Sequence, residues 1–157
     1  MGAMSSLSPR LAAVLEKLPL ASGTRVLEIG GAPGPLARAM AERVSPGGFV
    51  LVVDRSERGI EATRVACADE IAAGVLGVRR ASAEAFRLEP GETPFDLAVA
   101  NRVGALDGRH PDLEDATLTA LRAATTPGAP LYVDGRLVAG TPGQREDGGR
   151  TIPGRQV

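Results

Sequence analysis

The chain has 157 residues, a length typical of one domain, and its formal net charge is −1. Hydrophobic residues make up 43% of the sequence and charged residues 24%, as in an ordinary globular protein. This charge does not favour nucleic acid or an anionic membrane as a partner, and 3% aromatic residues are too few for a base-stacking surface. We therefore expect a single domain, 1–157, that binds neither nucleic acid nor membrane.

Cys67 is the only cysteine of the sequence, which excludes an internal disulfide. The start of the chain has no signal-peptide pattern, and no apolar run approaches the ~20 residues of a membrane span, so we expect a cytoplasmic protein. Cys67 lies in an Ala-rich helical pattern without metal-ligand spacing, which favours a small buried residue over a nucleophile. We expect no metal site.

The first half of the chain alternates helical and strand patterns. Residues 1–7 are predicted to be a flexible start, and Ser8 with Pro9 predicts a helix over 8–18, because Ser caps helices and Pro favours their first position. A strand is predicted over 25–29 and a helix over 35–44. Residues 49–53 are continuously apolar, which is typical of a parallel strand buried on both faces.

The second half continues this alternation. Ser56 predicts the start of a helix over 57–73, and a weaker strand follows over 75–80. A strand over 95–100, a helix over 111–124 and a fifth strand over 131–133 complete the pattern. The tail, 135–157, is rich in Gly, Pro and Arg, and predicts at most a short hairpin of 137–138 against 151–152.

The alternation predicts an α/β fold with a doubly wound, mostly parallel sheet over residues 25–134. Short right-handed crossovers favour the strand order 3-2-1-4-5. Ligands of such sheets bind beyond the carboxyl ends of the strands, at the point where the strand order reverses. The residues that follow strands 1 to 4 are therefore expected to share one rim.

A glycine-rich turn, EIGGAPGP from Glu28 onwards, follows the first strand. Such a turn lets a ligand approach the backbone and places the amide groups of the next helix beside it. Asp54 ends the second strand, where a carboxylate can accept hydrogen bonds from both hydroxyls of a ribose. The two features together predict a nucleoside ligand.

Two classes of nucleoside ligand compete for this rim. A dinucleotide site requires G-x-G-x-x-G, but counted from Gly30 the third residue is Ala32 and the sixth is Pro35. The Glu28 carboxylate would repel a pyrophosphate and would attract a cationic sulfonium amino acid. The pattern favours the sulfonium and leaves a small nucleotide-binding oxidoreductase domain as the weaker alternative.

The ordered set of motifs resembles the class I S-adenosylmethionine-dependent methyltransferases. The resemblance starts with VLEIGGAPG at residues 26–34, where Ala32 replaces a glycine, and continues through the strand ends at Asp54, Ser82 and Asn101 to Asp134. It implies S-adenosylmethionine as the cofactor. The cofactor-binding residues that it implies are Glu28, Gly30, Gly31, Ala32, Gly34, Asp54, Arg55, Ser82, Ala83, Glu84, Asn101, Arg102 and Val103.

The resemblance also implies a role for each group of residues. Glu28 and the backbone of 30–34 would hold the methionyl part, and Asp54 the ribose, with Arg55 flanking the nucleoside. Residues 82–84 would lie along the adenine, although Ser82 stands where the family often has Asp. Residues 101–103 would face the sulfonium and the substrate.

The acceptor of the methyl group is not identified by any motif. His110, the only histidine, is a candidate catalytic residue, with an exposed loop side chain as the alternative interpretation. The Asn-Pro-Pro-aromatic sequence that grips an amino nitrogen is absent at 101–104, which favours O-, S- or carboxyl methylation of a small molecule. A non-catalytic cofactor-binding module or partner subunit remains the alternative function.

The C-terminal tail is shorter than the family's usual pattern of seven strands requires. Residues 135–157 cannot supply a helix and two full strands of about 5–6 residues each with their connections. We therefore expect a five-stranded core with a short tail or hairpin in place of strands 6 and 7. An uncovered fifth strand predicts a homodimer through that side of the sheet. We also expect the 8–18 helix to cover part of the ligand rim.

Overall fold

The computed structural model describes residues 7–141, which fold around one six-stranded sheet with the order β3-β2-β1-β4-β5-β6. The strands are β1 (Arg25–Ile29), β2 (Phe49–Asp54), β3 (Leu76–Arg80), β4 (Leu97–Ala100), β5 (Leu131–Val133) and β6 (Arg136–Ala139). The helices are α1 (Pro9–Lys17), α2 (Pro35–Val44), α3 (Glu57–Ala66), α4 (Ala68–Ala72) and α5 (Glu114–Ala124). Short 3-10 turns lie at Ala83–Ala85 and Pro111–Leu113.

Strands β1 to β5 are parallel to one another, so the predicted fold class and strand order are confirmed. Successive side chains of a strand point to opposite faces of the sheet. On β2, Val50 and Val52 therefore belong to the core under α1 and α2, whereas Leu51 and Val53 belong to the core under α5. Both faces are covered, which explains why β2 is apolar without interruption.

The predicted helix over 57–73 is wrong in its continuity, because α3 ends at Ala66 and α4 begins at Ala68. Cys67 between them has φ −109° and ψ 24°, outside the helical region. Its side chain is fully buried, and its Sγ lies 3.7 Å from the Gly34 carbonyl oxygen. Cys67 is thus the small buried residue that was expected, and burial raises the pKa of its thiol to about 11.

Two further elements start later than predicted. The helical pattern over 111–124 begins with a 3-10 turn and becomes α-helical at Glu114. The strand predicted from Phe95 begins at Leu97, and Phe95 makes only an isolated bridge to Thr125. These differences are confined to element ends, where the apolar pattern carries little information.

The five parallel strands are followed by a short β6, which pairs antiparallel with β5, so β6 and not β5 forms this edge of the sheet. Asp134 (φ 48°) and Gly135 (φ 82°) form the two-residue connection between these strands. Two successive positive φ angles are what a tight hairpin turn requires, and Asp-Gly favours it. Strand β6, which contains 137–138, thus forms a hairpin with β5. The predicted pairing of 137–138 with 151–152 stays a prediction, because 151–152 lie outside the described residues. A homodimer through this side of the sheet stays a prediction.

Helix α1 lies against the sheet and reaches the rim at the carboxyl ends of the strands. Ser8 caps it, since Ser8 Oγ accepts a hydrogen bond from Leu11 N at 3.2 Å. Val14, Leu15 and Leu18 are buried in the core beneath it. Within residues 7–141, no helix is both long enough and apolar enough to cross a membrane.

Candidate functional site

A cavity of about 520 Å³ opens at the carboxyl ends of the parallel strands. Its walls come from the ends of β1, β2, β3 and β4, from the turn before α2, and from α1. This is the location that the rule for open α/β sheets predicts for a ligand. A volume of this size is in the range of small-molecule sites, about 300–1,000 Å³.

Nearly all of the predicted cofactor-binding residues line this cavity. They are Glu28, Gly30, Gly31, Ala32, Asp54, Arg55, Ser82, Ala83, Glu84, Asn101, Arg102 and Val103. Gly34 is the exception, because its Cα faces the side chains of Cys67 and Thr63. Gly34 instead shapes the turn: its φ is 104°, it caps α2, and its N–H donates to the Gly31 carbonyl at 2.8 Å. The side chains of Cys67 and Thr63 leave no room for a Cβ at that position.

The glycine turn brings backbone directly to the cavity wall. Gly30 has φ 73°, and its N–H donates to the Val53 carbonyl at 2.8 Å, which extends the pairing of β1 with β2. A Cβ at Gly30 would lie 3.0 Å from Val103 Cγ2 and 3.2 Å from the Asn101 carbonyl oxygen. The end of β1 is therefore packed tightly against the end of β4, and a ligand can contact the main chain there.

The most unusual group in the wall is the carboxylate of Glu28. The residue is only 2% exposed, and no hydrogen-bond partner of its Oε2 exists among the described residues. Burial, and then the negative charge of Asp54, raise the pKa of Glu28 to about 8. A buried carboxylate without a partner is costly to the fold. This cost is relieved when a cationic ligand binds beside it.

Asp54 connects the second strand end to the glycine turn. Its Oδ1 accepts a hydrogen bond from Ser56 N at 2.9 Å, and its Oδ2 accepts a longer one from Ala32 N at 3.4 Å. Ser56 in turn caps α3, because its Oγ accepts from Gly59 N at 3.0 Å. An ionised carboxylate has about four acceptor sites. The half-buried Asp54 can therefore still accept hydrogen bonds from the hydroxyls of a ligand.

The end of β3 supplies a short polar wall. Ala81 N donates to the Asp54 carbonyl at 3.1 Å, so the chain after β3 continues beside the chain after β2. Ser82, Ala83 and Glu84 then form the beginning of a 3-10 turn, with Ala83 facing the core and the other two partly exposed. This wall lies next to Asp54 and away from β4.

The end of β4 carries a second unpartnered polar side chain. Asn101 is 8% exposed, and within 7–141 neither Oδ1 nor Nδ2 of its amide has a hydrogen-bond partner. Arg102 follows with φ 56°, an uncommon conformation for a residue other than glycine. Its N–H donates to Asp134 Oδ1 at 2.9 Å, which ties the end of β4 to the β5–β6 turn. Outliers of this kind cluster at functional sites.

His110, which follows β4, is an exposed residue of the cavity lining. Its N–H donates to the Gly104 carbonyl at 2.9 Å, and a methyl group at Gly104 would overlap the imidazole. The ring is exposed, as one interpretation of the sequence expected, and it also lines the cavity. Its place on the β4 side separates it from Asp54 and the β3 wall.

Several cavity residues were not among the predicted site residues. Arg10 and Leu11 come from α1, which was expected to cover the rim without any residue being named. Arg109 and Leu113 come from the segment after β4. A surface Arg or Leu carries no signal in sequence, because only the folded chain brings α1 and the segment after β4 to the same cavity.

Several solved structures that resemble this chain are described as SAM-dependent methyltransferases. A SAM-dependent methyltransferase from Aquifex aeolicus has a TM-score of 0.63 at 18% identity, over 78% of this chain and 62% of its own. A SAM-dependent methyltransferase from Thiobacillus denitrificans in complex with S-adenosyl-L-homocysteine has a TM-score of 0.61 at 20% identity, over 81% of this chain and 48% of its own. TrmN from Thermus thermophilus has a TM-score of 0.62 at 24% identity, over 78% of this chain and 36% of its own. The chain has the Rossmann-like fold of the S-adenosylmethionine-dependent methyltransferases.

This likeness is one of fold, and its extent is limited. The chain spans between 36% and 62% of the length of these three neighbours. No protein-family model and no curated protein sequence matches the chain. The methyltransferase fold therefore locates the cavity, and the residues that line it must carry the argument for activity.

Proposed function

We propose that the chain is an S-adenosylmethionine-dependent methyltransferase that acts on a small molecule. The observation that carries this proposal is the buried carboxylate of Glu28, whose Oε2 lacks a partner within residues 7–141. It lies beside a glycine turn and within the electrostatic influence of Asp54. A cationic amino acid joined to a ribose satisfies both carboxylates, whereas a dinucleotide pyrophosphate adds negative charge to them.

In this proposal each wall of the cavity binds one part of the cofactor. Glu28 and the turn at Gly30, Gly31 and Ala32 hold the methionyl part, and Asp54 accepts hydrogen bonds from the ribose. Residues 82–84, with Arg55, flank the adenine. Asn101 and Val103 lie on the β4 side, which faces the acceptor. The adjacency of these walls around one cavity supports the assignment.

Bound S-adenosylmethionine supplies an electrophilic methyl group on a sulfonium, which is an excellent leaving group. The chain has to align the acceptor atom with that methyl group and to exclude water, where proximity alone is worth about 7–11 kcal/mol. A general base is required only when the acceptor has a proton to lose. His110 is the residue on the β4 side that can take such a proton, and its place in the cavity lining supports that role.

A non-catalytic module is the second candidate, and one observation favours it. Strand β6 follows β5 directly through a two-residue turn, so little of the described chain is left to enclose an acceptor. The larger lengths of the three neighbours are consistent with this difference. A partner or a further segment would then complete the acceptor site.

Titration calorimetry with S-adenosylmethionine, S-adenosylhomocysteine and NAD tests the cofactor. Binding of the two sulfur nucleosides without NAD supports the proposal, and binding of NAD alone contradicts it. Formation of S-adenosylhomocysteine with a panel of carboxylic acids, phenols and thiols then tests catalysis. Tight cofactor binding without turnover on any acceptor would favour the non-catalytic module.

A further inference from the structure

Most charged residues of the cavity are divided between its two sides, and Arg55, next to Asp54, is the one Arg or Lys of the described lining that lies on the acidic side. The acidic residues in its lining, Glu28, Asp54 and Glu84, come from the ends of β1, β2 and β3. The β4 side is lined instead by Arg102, Arg109 and His110, and α1 adds Arg10. In the described part of the chain, no Asp or Glu lines the β4 side of this cavity.

Arg109 is engaged in holding this basic side in place. Its guanidinium forms a close ion pair with Asp107 at 2.8 Å, and its Nη2 also donates to the Arg102 carbonyl at 2.7 Å. The N–H of Arg102 is held by Asp134 at 2.9 Å. The backbone of Arg102 is thus fixed from both of its peptide groups, in a left-handed conformation that has to be maintained by such contacts.

The guanidinium groups of Arg10 and Arg102 are available to a ligand. Within residues 7–141, neither forms an ion pair or a side-chain hydrogen bond, although both line the same cavity. A guanidinium is always charged and matches the planar geometry of a carboxylate or the oxygens of a phosphate. Helix α1, which carries Arg10, packs at Val14 against Gly135 of the β5–β6 turn, and Asp134 of the same turn binds the Arg102 N–H. Two guanidinium groups that enter one cavity from these neighbouring segments form a site for an oxyanion.

We propose that the methyl acceptor is a small molecule with an oxyanion, carboxylate or phosphate, that Arg10 and Arg102 bind on the β4 side. This proposal rests on the proposed methyltransferase function and adds the chemical class of its substrate. Leu11, Val103 and Leu113 line the same side and contact the apolar part of such a molecule. The formal net charge of −1 favours a small acid over RNA, which requires a more extended basic surface.

The test uses the protein saturated with S-adenosylhomocysteine and measures the shift in melting temperature that each added probe causes. The probes are benzoate, phenylphosphate and neutral benzamide, at constant ionic strength. Because a ligand that binds only the folded state stabilises it, the two anions should raise the melting temperature more than benzamide does. Equal shifts with all three probes would overturn the proposal.

Arg10→Gln and Arg102→Gln identify the site. Each substitution should weaken the binding of the two anions about tenfold, since a charge-assisted hydrogen bond is lost. Arg87→Gln is the control, because Arg87 is an exposed arginine that does not line the cavity. The proposal would be contradicted if the anions still raised the melting temperature of the double variant Arg10→Gln/Arg102→Gln. It would also be contradicted if a short RNA raised the melting temperature of the wild type and the small anions did not.

The outcome remains distinct from failure of the methyltransferase proposal. If S-adenosylhomocysteine itself does not bind, the cofactor assignment fails, and the anion probes can still be measured on the free protein. If S-adenosylhomocysteine binds and the anions show no preference, only the acceptor class is wrong.

Discussion

The Glu28 carboxyl group packs directly against the Cα of Gly31, so that a methyl group at residue 31 would overlap it. The φ of Gly31 is outside the left-handed range, so the requirement for glycine here comes from this contact. The glycine turn therefore does more than bend the chain. It leaves room for the carboxylate to lie against the backbone at the cavity wall.

This contact predicts the effect of Gly31→Ala. The new methyl group should displace the Glu28 carboxylate and weaken S-adenosylmethionine by about tenfold or more, as expected for the loss of a charged hydrogen bond. Gly91→Ala is the control, because Gly91 has φ 78° but faces open space. The control should lower the free energy of unfolding and keep the affinity, as calorimetry can measure. Equal affinities in the two variants would contradict the role of the contact.

The raised pKa of Glu28 predicts a dependence of stability on pH. Folded Glu28 has a pKa of about 8, against an ordinary value of 4.5, so between these values the folded state binds more protons than the unfolded state. The free energy of unfolding should consequently fall as pH rises through this window, by at most about 1.4 kcal/mol per pH unit. The contribution of Glu28 is complete below 4.5 and lost above 8.

Glu28→Gln removes this titration and isolates its effect. Urea unfolding of the ligand-free proteins at about pH 5.5, 7 and 8.5 measures the free energy of unfolding of each. As pH rises, the value for the wild type should fall relative to the value for Glu28→Gln. The same variant should bind S-adenosylmethionine more weakly, because its amide cannot ionise beside the bound cation as the Glu28 carboxyl group can. Parallel stability curves for the two proteins would show that Glu28 is ionised in the fold throughout.

Asp54 and Ser56 allow ligand binding to be separated from helix capping. Asp54→Asn should make the binding free energy of S-adenosylmethionine less favourable by about 1–3 kcal/mol, because a carboxylate accepts stronger hydrogen bonds from a ribose than an amide does. Ser56→Ala removes the cap on Gly59 N and should cost about 0.5–2 kcal/mol of stability without a change in affinity. If both variants lose affinity equally, Asp54 acts through α3 and does not contact the ligand.

Asn101 and Thr117 are two separate buried polar residues that can be compared with each other. Both have polar side-chain atoms without a partner in the described range, but only Asn101 lines the cavity. Replacing an unsatisfied buried polar group by an apolar one is often neutral or stabilising. Thr117→Val, which keeps the shape of the side chain, should therefore leave the free energy of unfolding equal or higher. Asn101→Ala also removes buried atoms, and this loss should offset the gain.

The ligand distinguishes the two positions. Asn101→Ala should weaken S-adenosylmethionine or lower the rate of methyl transfer, whereas Thr117→Val should change neither. Calorimetry and the rate of S-adenosylhomocysteine formation measure the two effects. An Asn101→Ala protein with unaltered affinity and rate would reduce Asn101 to a structural residue.

The parallel core could be predicted because its strands carry strong local signals. Strand β2 is apolar throughout, and each strand from β1 to β4 ends in the residues that reach the cavity. Once the strand order is known, the sheet itself brings Glu28, Asp54, Ser82 and Asn101 to one rim. The site was thus predictable to the extent that it is built from strand ends.

The remaining features depend on tertiary packing or on a missed turn signal. The break at Cys67 has no local cause in an Ala-rich stretch, because it arises where the thiol packs under Gly34. Asp134-Gly135 is a known hairpin signal, and it connects β5 to β6. The sequence prediction paired 137–138 with 151–152 and did not use this signal. Arg10 reaches the cavity because α1 packs beside the β5–β6 turn, where Gly135 lies against Val14, and no pattern in its own sequence indicates this.

The most direct test of the central claim is to locate S-adenosylhomocysteine by amide chemical shifts in solution. During a titration, the amide resonances of Gly30, Gly31 and Ala32 and of residues 82–84 should move together and saturate. A second cleft, lined by Leu118, Pro130 and Ala139 among others, provides the internal comparison. Shifts confined to that cleft, or no saturable shift at all, would contradict a cofactor site at the glycine turn.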